Sequence, residues 1–228
     1  MPHYPVMLDV TGRRAVVVGG GRVGERKVDG LLEAGADVLV VSPEATPELA
    51  ARAQAGAIAW HRRPYLREDL AGACLVFAAT DRREVNAAVQ ADARAAGIPC
   101  NVVDDPEGCD FFVPAVVRRG ELVLAVSTGG ASPAVARKVR EALEARFGPE
   151  WAPYLDLLAR VREALQALGD PADRNRDLFL DLADLDLLPL VAAGAWAEVE
   201  RAVTAAAERR LGGRAAGRFT LSALGMAR

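Results

Sequence analysis

Three cysteines, Cys74, Cys100 and Cys109, are all that the 228 residues contain, and no C-x-x-C pair occurs. An odd number at these spacings does not make a disulfide framework and fits a reducing cytosol. There are two histidines, His3 and His61, far apart and without metal-ligand spacing around either. No apolar run approaches the length of a membrane span. The opening stretch MPHYPVMLDVTGRR lacks the basic and apolar regions of a signal peptide. Charge of one sign is also missing. The net charge is −3, which gives no hint of a general nucleic-acid binder. No internal repeat is present.

What is there is a globular composition, 51% hydrophobic and 26% charged, on a chain long enough for one large domain or two modest ones. The first hundred residues alternate between short apolar runs and helical patterns. Ala15–Val18, Val38–Val41, Ala57–Trp60, Leu75–Ala79 and Cys100–Val103 read as buried strands. Helices are expected from the glycine run at Gly19–Gly21 to about Ala34, from Pro47 to about Ala55, and from Arg83 to Ala96. Gly35 and Gly97 are placed to end the first and third of these. Such alternation implies an α/β fold, a doubly wound parallel sheet with functional loops along the carboxyl edge of its strands. Those loops are Gly19–Gly24, Ser42–Glu44, Thr80–Asp81 and Asp104–Asp105.

The pattern changes after Asp110. Phe111–Val117 and Leu122–Ser127 flank Arg118-Arg119-Gly120-Glu121 and predict a hairpin. Ser132 suits the N-cap and Pro133 the first turn of a following helix, with Val135, Val139, Ala142, Leu143 and Phe147 as its buried stripe. Beyond Glu150 the chain reads as helical: Trp151–Leu168, a break at Gly169-Asp170-Pro171, then Asn175–Leu182, Leu187–Ala193 and Trp196–Arg209. The Gly-, Ala- and Arg-rich tail Leu211–Arg228 is expected to fray.

Gly19-x-Gly21-x-x-Gly24 stands between a strand and a helix, the context in which this spacing binds a dinucleotide. The first glycine serves the tight turn, the second the approach of a pyrophosphate, the third close helix–strand packing. Arg22, Val23 and the helix start supply unpaired N–H donors for the phosphates. The alternative is a glycine turn without a ligand. At the end of the second strand, where an acidic residue would bind a ribose in a Rossmann-type NAD site, stand Ser42 and Pro43, with Glu44 as a substitute carboxylate. No arginine follows Ser42 closely, which favours NAD over NADP. Thr80 lies in a loop that touches the cofactor in this fold. Asn86 is expected to cap or pack, and Cys100 and Cys109 to be neutral thiols.

The chain resembles the precorrin-2 dehydrogenase / sirohydrochlorin ferrochelatase family, the module that also forms the N-terminal part of multifunctional siroheme synthases. The matching stretches are Pro5–Leu8, Val18–Lys27, Leu32–Ala36, Ala78–Asp81 with Asn86, Asn101–Asp104, Phe112–Ala115 and Ser127–Pro133. They lie in order, and together they are highly specific. The resemblance implies a homodimer with an NAD-binding domain (1–113), a dimerisation segment (114–149) and a C-terminal helical domain (150–228). It implies NAD-linked oxidation of precorrin-2 to sirohydrochlorin and, in some members, insertion of ferrous iron to give siroheme.

The family's key aspartate falls on Asp104, which could take the proton lost when the tetrapyrrole is oxidised. Its plain alternative is a turn cap shared with Asp105 and Pro106. The substrate's many carboxylates call for cations, and Arg118, Arg119 and Arg137 lie in the right region, as do Lys138 and Arg140. Thr128, Gly129 and Gly130 form a second candidate anion cradle. Some relatives carry a phosphorylated serine where Thr128 stands, so that regulation is not expected here. Two competing readings are an NAD-sensing regulatory module and a chelatase without hydride transfer. The sensor would carry an acid at Ser42. The chelatase would not need the glycine turn.

Overall fold

The computed structural model describes residues 3–169, 172–215 and 217–226. They form two compact units, His3–Val113 and Pro114–Arg228.

The first unit is built on a five-stranded parallel sheet in the order β3-β2-β1-β4-β5. Its strands are β1 (Arg14–Gly20), β2 (Asp37–Ala45), β3 (Ala59–His61), β4 (Leu75–Ala78) and β5 (Cys100–Val102). The helices α1 (Arg22–Glu33), α2 (Pro47–Gln54) and α3 (Arg83–Ala96) connect them. Alternation along the strands divides the core in two. Ala15, Val17, Val38, Val40, Leu75 and Phe77 pack with Val28 and Leu31 of α1 and Leu49 of α2. Val16, Val18, Leu39, Val41, Val76 and Ala78 pack with Val89 and Ala93 of α3 on the other face. This two-sided burial is why the strands are continuous apolar runs and not alternating ones.

The helix ends follow local chemistry. Thr46 caps α2 by accepting the Leu49 N–H at 3.3 Å, with Pro47 in the first turn. Gly97 ends α3 in the left-handed region at φ +69°. Gly35, at φ +73°, follows the Ala34 cap of α1. All five strands differ in their bounds from expectation, and two of the shifts have a local cause. The second runs on to Ala45, because Gly20 pairs with Ala45 after an irregularity in the β1/β2 ladder. The third begins at Ala59, since a turn at Gly56 occupies the residues before it.

The second unit opens with an antiparallel hairpin, β6 (Ala115–Arg119) and β7 (Leu122–Val126). The expected first arm began at Phe111. Instead Phe111 packs edge-on against Phe77, 5.3 Å between centroids, and its carbonyl accepts the Asn101 amide at 2.9 Å. Pro114 then offers no N–H to a ladder. Gly120 takes φ +56° and Glu121 stays out of the left-handed region, the pattern of a type II′ turn.

Helices α4 (Pro133–Arg146), α5 (Trp151–Ala167), α6 (Ala172–Asp184), α7 (Leu187–Ala192) and α8 (Trp196–Leu211) follow. The side chains of 172–175 lie outside the described residues, as do Asp170 and Pro171 of the expected break. One core joins Leu157, Val161 and Leu165 of α5 to Leu178 and Leu182 of α6, Leu187 and Val191 of α7, and Val199, Val203 and Ala206 of α8.

Two expectations are corrected here. The stripe on α4 is only partly buried: Val135 and Val139 are 49% and 42% exposed and Ala142 is exposed, Leu143 and Phe147 are half-buried, and the buried residue of the helix is Ala136, outside the stripe. Nor does the tail fray over its described part. Leu211, Ala215, Phe219 and Leu224 are buried in the helical core. The Arg160 guanidinium donates to the Leu224 carbonyl, and the Glu200 carboxylate accepts the Leu221 N–H. Gly and Ala dominate that stretch, but Phe219 and Leu224 give it something to bury. Among the described residues no helix is long and apolar enough to cross a membrane.

Candidate functional site

β1 and β4 are neighbours in the sheet although β2 and β3 lie between them in sequence, so the connections diverge at their carboxyl ends. Such a switch point leaves a crevice. Here it is a cleft of about 800 Å³, lined by Gly19–Val23, Ser42–Thr46, Pro64, Tyr65, Ala79–Arg82, Val85, Val103 and Asp104.

The glycines make different contacts. Gly19 sits at φ +119°, and a Cβ there would lie 2.3 Å from the Ala79 carbonyl oxygen. A Cβ on Gly24 would lie 2.1 Å from the Gly19 oxygen and 3.4 Å from Val17 Cγ1, so this glycine lets α1 close onto β1. Gly20, a residue that the motif leaves unspecified, is equally constrained: its Cβ would meet the Glu44 oxygen at 2.3 Å. Gly21 meets nothing within 4 Å. It is the N-cap of α1, and no side chain caps the helix, so the first N–H groups of Arg22, Val23 and Gly24 face the open side. An open glycine before uncapped donors, with the helix dipole behind them, fits a diphosphate.

Ser42 is half-buried, and its carbonyl accepts the Trp60 indole N–H at 2.9 Å. The Arg62 guanidinium stacks over that indole at 5.5 Å, a cation brought to this corner by β3 that inspection of the residues after Ser42 could not find. Pro64 and Tyr65 form another wall that sequence reasoning missed. The buried Asp69 holds it: its carboxylate takes two bonds from Arg63, at 2.6 and 2.8 Å, and one each from the Leu66 N–H and His61 Nδ1, both at 2.9 Å. Burial pushes the Asp69 carboxyl up, but the bonds from Arg63, Leu66 and His61 outweigh it and hold it at about 2. The Tyr65 hydroxyl donates to Asp92 at 3.1 Å.

Thr80 follows β4. Its N–H and its hydroxyl both donate to Asn86 Oδ1, at 3.2 and 2.7 Å, and its carbonyl accepts from Asn86 Nδ2 at 3.0 Å. Asn86 is 7% exposed. Asp104, at the end of β5, is the one described non-glycine residue with positive φ, +60°. Asparagine and aspartate tolerate that region best, and held strain of this kind gathers at functional sites. Its neighbour Asp105 does the capping, accepting the Gly108 N–H at 3.2 Å. Among the described residues, nothing donates a hydrogen bond to the Asp104 carboxylate. Burial pushes the Cys100 thiol up to about 12 and raises that of Cys109, so neither is a ready nucleophile.

Of the residues singled out in the sequence, Gly19, Gly21, Arg22, Val23, Ser42, Pro43, Thr80 and Asp104 meet in this cleft, with Gly24 packed beneath it. Glu44 lines it as well. The residues singled out for the substrate's carboxylates lie in the second unit. Arg118 is exposed on β6. Arg119 instead closes the carboxyl end of α4, donating to the carbonyls of Phe147 at 3.0 Å and Glu144 at 3.4 Å. The Thr128 hydroxyl accepts the Ser132 N–H at 3.2 Å and so closes the loop of Gly129 (φ +61°) and Gly130 (φ +85°). Arg137 is exposed and pairs with Glu141 at 2.9 Å.

Residues 6–115 match a family described as putative NAD(P)-binding, and residues 119–146 match the sirohaem biosynthesis protein central family. Siroheme synthase 1 of Aeromonas salmonicida is 44% identical over 174 residues, 75% of this chain and 37% of the relative. The siroheme synthase of Pseudomonas entomophila is 40% identical over 205 residues, 90% of this chain and 44% of the relative. The chain thus spans less than half the length of these siroheme synthases. The solved structure of SirC, precorrin-2 dehydrogenase, matches with a TM-score of 0.69 and 29% identity, covering 82% of this chain and 92% of that one. The chain thus carries an NAD(P)-binding module followed by a sirohaem-biosynthesis central module, and in sequence and fold it is similar to siroheme synthases and to a precorrin-2 dehydrogenase.

Proposed function

We propose that the chain oxidises precorrin-2 to sirohydrochlorin with NAD as acceptor. The observation that carries this reading is that one cleft is lined by both the glycine turn and Asp104, whose carboxylate takes no hydrogen bond from the described residues. When bound, the nicotinamide accepts a hydride. The N–H groups of Arg22 to Gly24 hold the diphosphate. Ser42 offers a hydroxyl to the adenosine ribose, and Glu44 stands close enough in the chain to add a carboxylate. Asp104 takes the proton that the macrocycle loses with the hydride. Arg118, Arg137 and the Thr128–Gly130 loop are the candidates for the substrate's carboxylates. Arg119 already serves α4 and Arg137 already pairs with Glu141, which weakens the claim of each.

The same carboxylate suits the pyrrole protons released when ferrous iron enters sirohydrochlorin, so iron insertion is a second step to test. A homodimer is the reading that best accounts for Val135 and Val139 of α4 standing exposed. A cytoplasmic location fits the free thiols.

The test is incubation with precorrin-2 and NAD, in parallel with NADP because of Arg62, with and without ferrous ion, followed by absorption spectroscopy. Formation of NADH with sirohydrochlorin supports the proposal. NAD binding without turnover of precorrin-2 would make the chain a sensor. Iron uptake by sirohydrochlorin without oxidation of precorrin-2 would make it a chelatase. Sedimentation of the purified chain as a monomer would remove the homodimer.

A further inference from the structure

We propose that Asn86 is a positioning residue of the dinucleotide site, which locks Thr80 so that its hydroxyl can only accept a hydrogen bond from the ligand. The inference rests on reading the cleft as a dinucleotide site.

The orientation of the Asn86 amide follows from its partner. The Thr80 backbone N–H can only donate and its carbonyl can only accept. Asn86 Oδ1 therefore faces the N–H (3.2 Å) and Nδ2 faces the carbonyl (3.0 Å). With Oδ1 so placed, the Thr80 hydroxyl, 2.7 Å away, donates to it. The Arg82 carbonyl is the other available acceptor, but at 3.1 Å. One hydroxyl lone pair is taken by the Arg82 N–H at 3.2 Å. The single proton and one lone pair are thus spent inside the protein. One lone pair is left for the cleft that Thr80 lines.

This polarity selects the ligand group. A phosphate oxygen, which only accepts, finds no donor in the Thr80 side chain. A ribose hydroxyl or a carboxamide N–H does find an acceptor. Thr80 lies on the β4 side of the switch point, where the nicotinamide half of a dinucleotide runs. Asn86 is buried and sits on α3, so the packing of the helix fixes the clamp. It touches Thr80 and acts through it.

The test uses the intact chain and calorimetric NAD affinity, with the melting temperature and the KM and kcat of precorrin-2 oxidation alongside. Thr80→Ser should keep affinity within about twofold, and Thr80→Val should weaken it roughly tenfold, the scale of one lost hydrogen bond. Asn86→Ala should weaken it about as much, raising KM for NAD more than it lowers kcat. The double variant should be no weaker than the weaker single variant, because the second change has nothing left to remove. If Asn86→Ala does not fold, Asn86→Asp serves. It keeps the acceptor but loses the Nδ2 donor, and should also weaken binding.

A folded Asn86 variant with a lower melting temperature and unchanged affinity would make Asn86 structural only and overturn the proposal. So would additive losses in the double variant. An unmodified chain that takes up no NAD would instead sink the reading of the cleft itself.

Discussion

Asp105 accepts the Gly108 N–H and caps the turn after β5, while Asp104 beside it, at φ +60°, lines the cleft. Two adjacent, chemically identical side chains therefore have separable roles. Asp104→Asn should lower precorrin-2 oxidation by about 10²-fold or more, the scale of a lost general base, and leave NAD affinity within about threefold. Asp105→Ala should cost about 1 kcal/mol of stability, as loss of a cap does, and spare the rate. Steady-state kinetics and calorimetry on both variants check this. Normal turnover by Asp104→Asn would remove it from the proton transfer.

The glycines allow a second separation of fold from binding. A methyl on Gly24 collides with the Gly19 oxygen, whereas a methyl on Gly21 meets nothing within 4 Å among the described residues beyond its own chain neighbours. Gly24→Ala should lower the melting temperature and abolish NAD binding with it. Gly21→Ala should melt within a degree or two of the parent and still lose about tenfold or more in NAD affinity, because only the ligand occupies that space. Equal affinities for Gly21→Ala and the parent would show that no diphosphate approaches there.

Much of this was legible in the residues. Runs such as Val38–Val41 announce strands covered on both faces, and Gly35 and Gly97 mark where helices stop. The cleft followed because strand ends and loop positions are set by the same alternation. What was not legible depends on partners distant in sequence. Val135 and Val139 look like a buried stripe, but their environment depends on what covers α4, which periodicity does not state. Phe219 hides among small and charged residues, and its burial depends on α8 and α5 coming together. Asp69 is not singled out by sequence, because a lone aspartate after Arg67 and Glu68 reads as a solvated turn. Only the fold aims Arg63, His61 and the Leu66 N–H at it.

Asp69 also makes stability depend on acid. Its folded-state carboxyl is held at about 2, below the ordinary 3.8, so the unfolded chain binds a proton first as the pH falls. The stabilisation is complete above about pH 5 and is lost progressively between pH 4 and 2. Its size is on the order of 2 kcal/mol, for a carboxyl lowered from 3.8 to about 2 that is 2% exposed. Asp69→Asn should be destabilised by that order at pH 7 in urea titrations, with the gap from the parent closing toward pH 2. A gap independent of pH would mean that the loss comes from packing and not from the charge.

The buried tail carries the last prediction. Phe219 is 1% exposed, its carbonyl accepts the Thr204 hydroxyl at 3.4 Å, and the core around it includes Val203, Ala207 and Leu211 of α8. Truncating it removes the transfer energy of a ring and leaves a cavity that the small neighbouring residues cannot fill, so Phe219→Ala should cost about 3–5 kcal/mol. Leu180 supplies the contrast. It is also large and apolar, but 55% exposed on α6, and Leu180→Ala should stay within about 0.5 kcal/mol of the parent. Both follow from urea unfolding monitored by circular dichroism. If Phe219→Ala proved as mild as Leu180→Ala, the segment after α8 would be loosely held in solution, as its glycine-rich composition suggests, and the packed tail would not be part of the stable core.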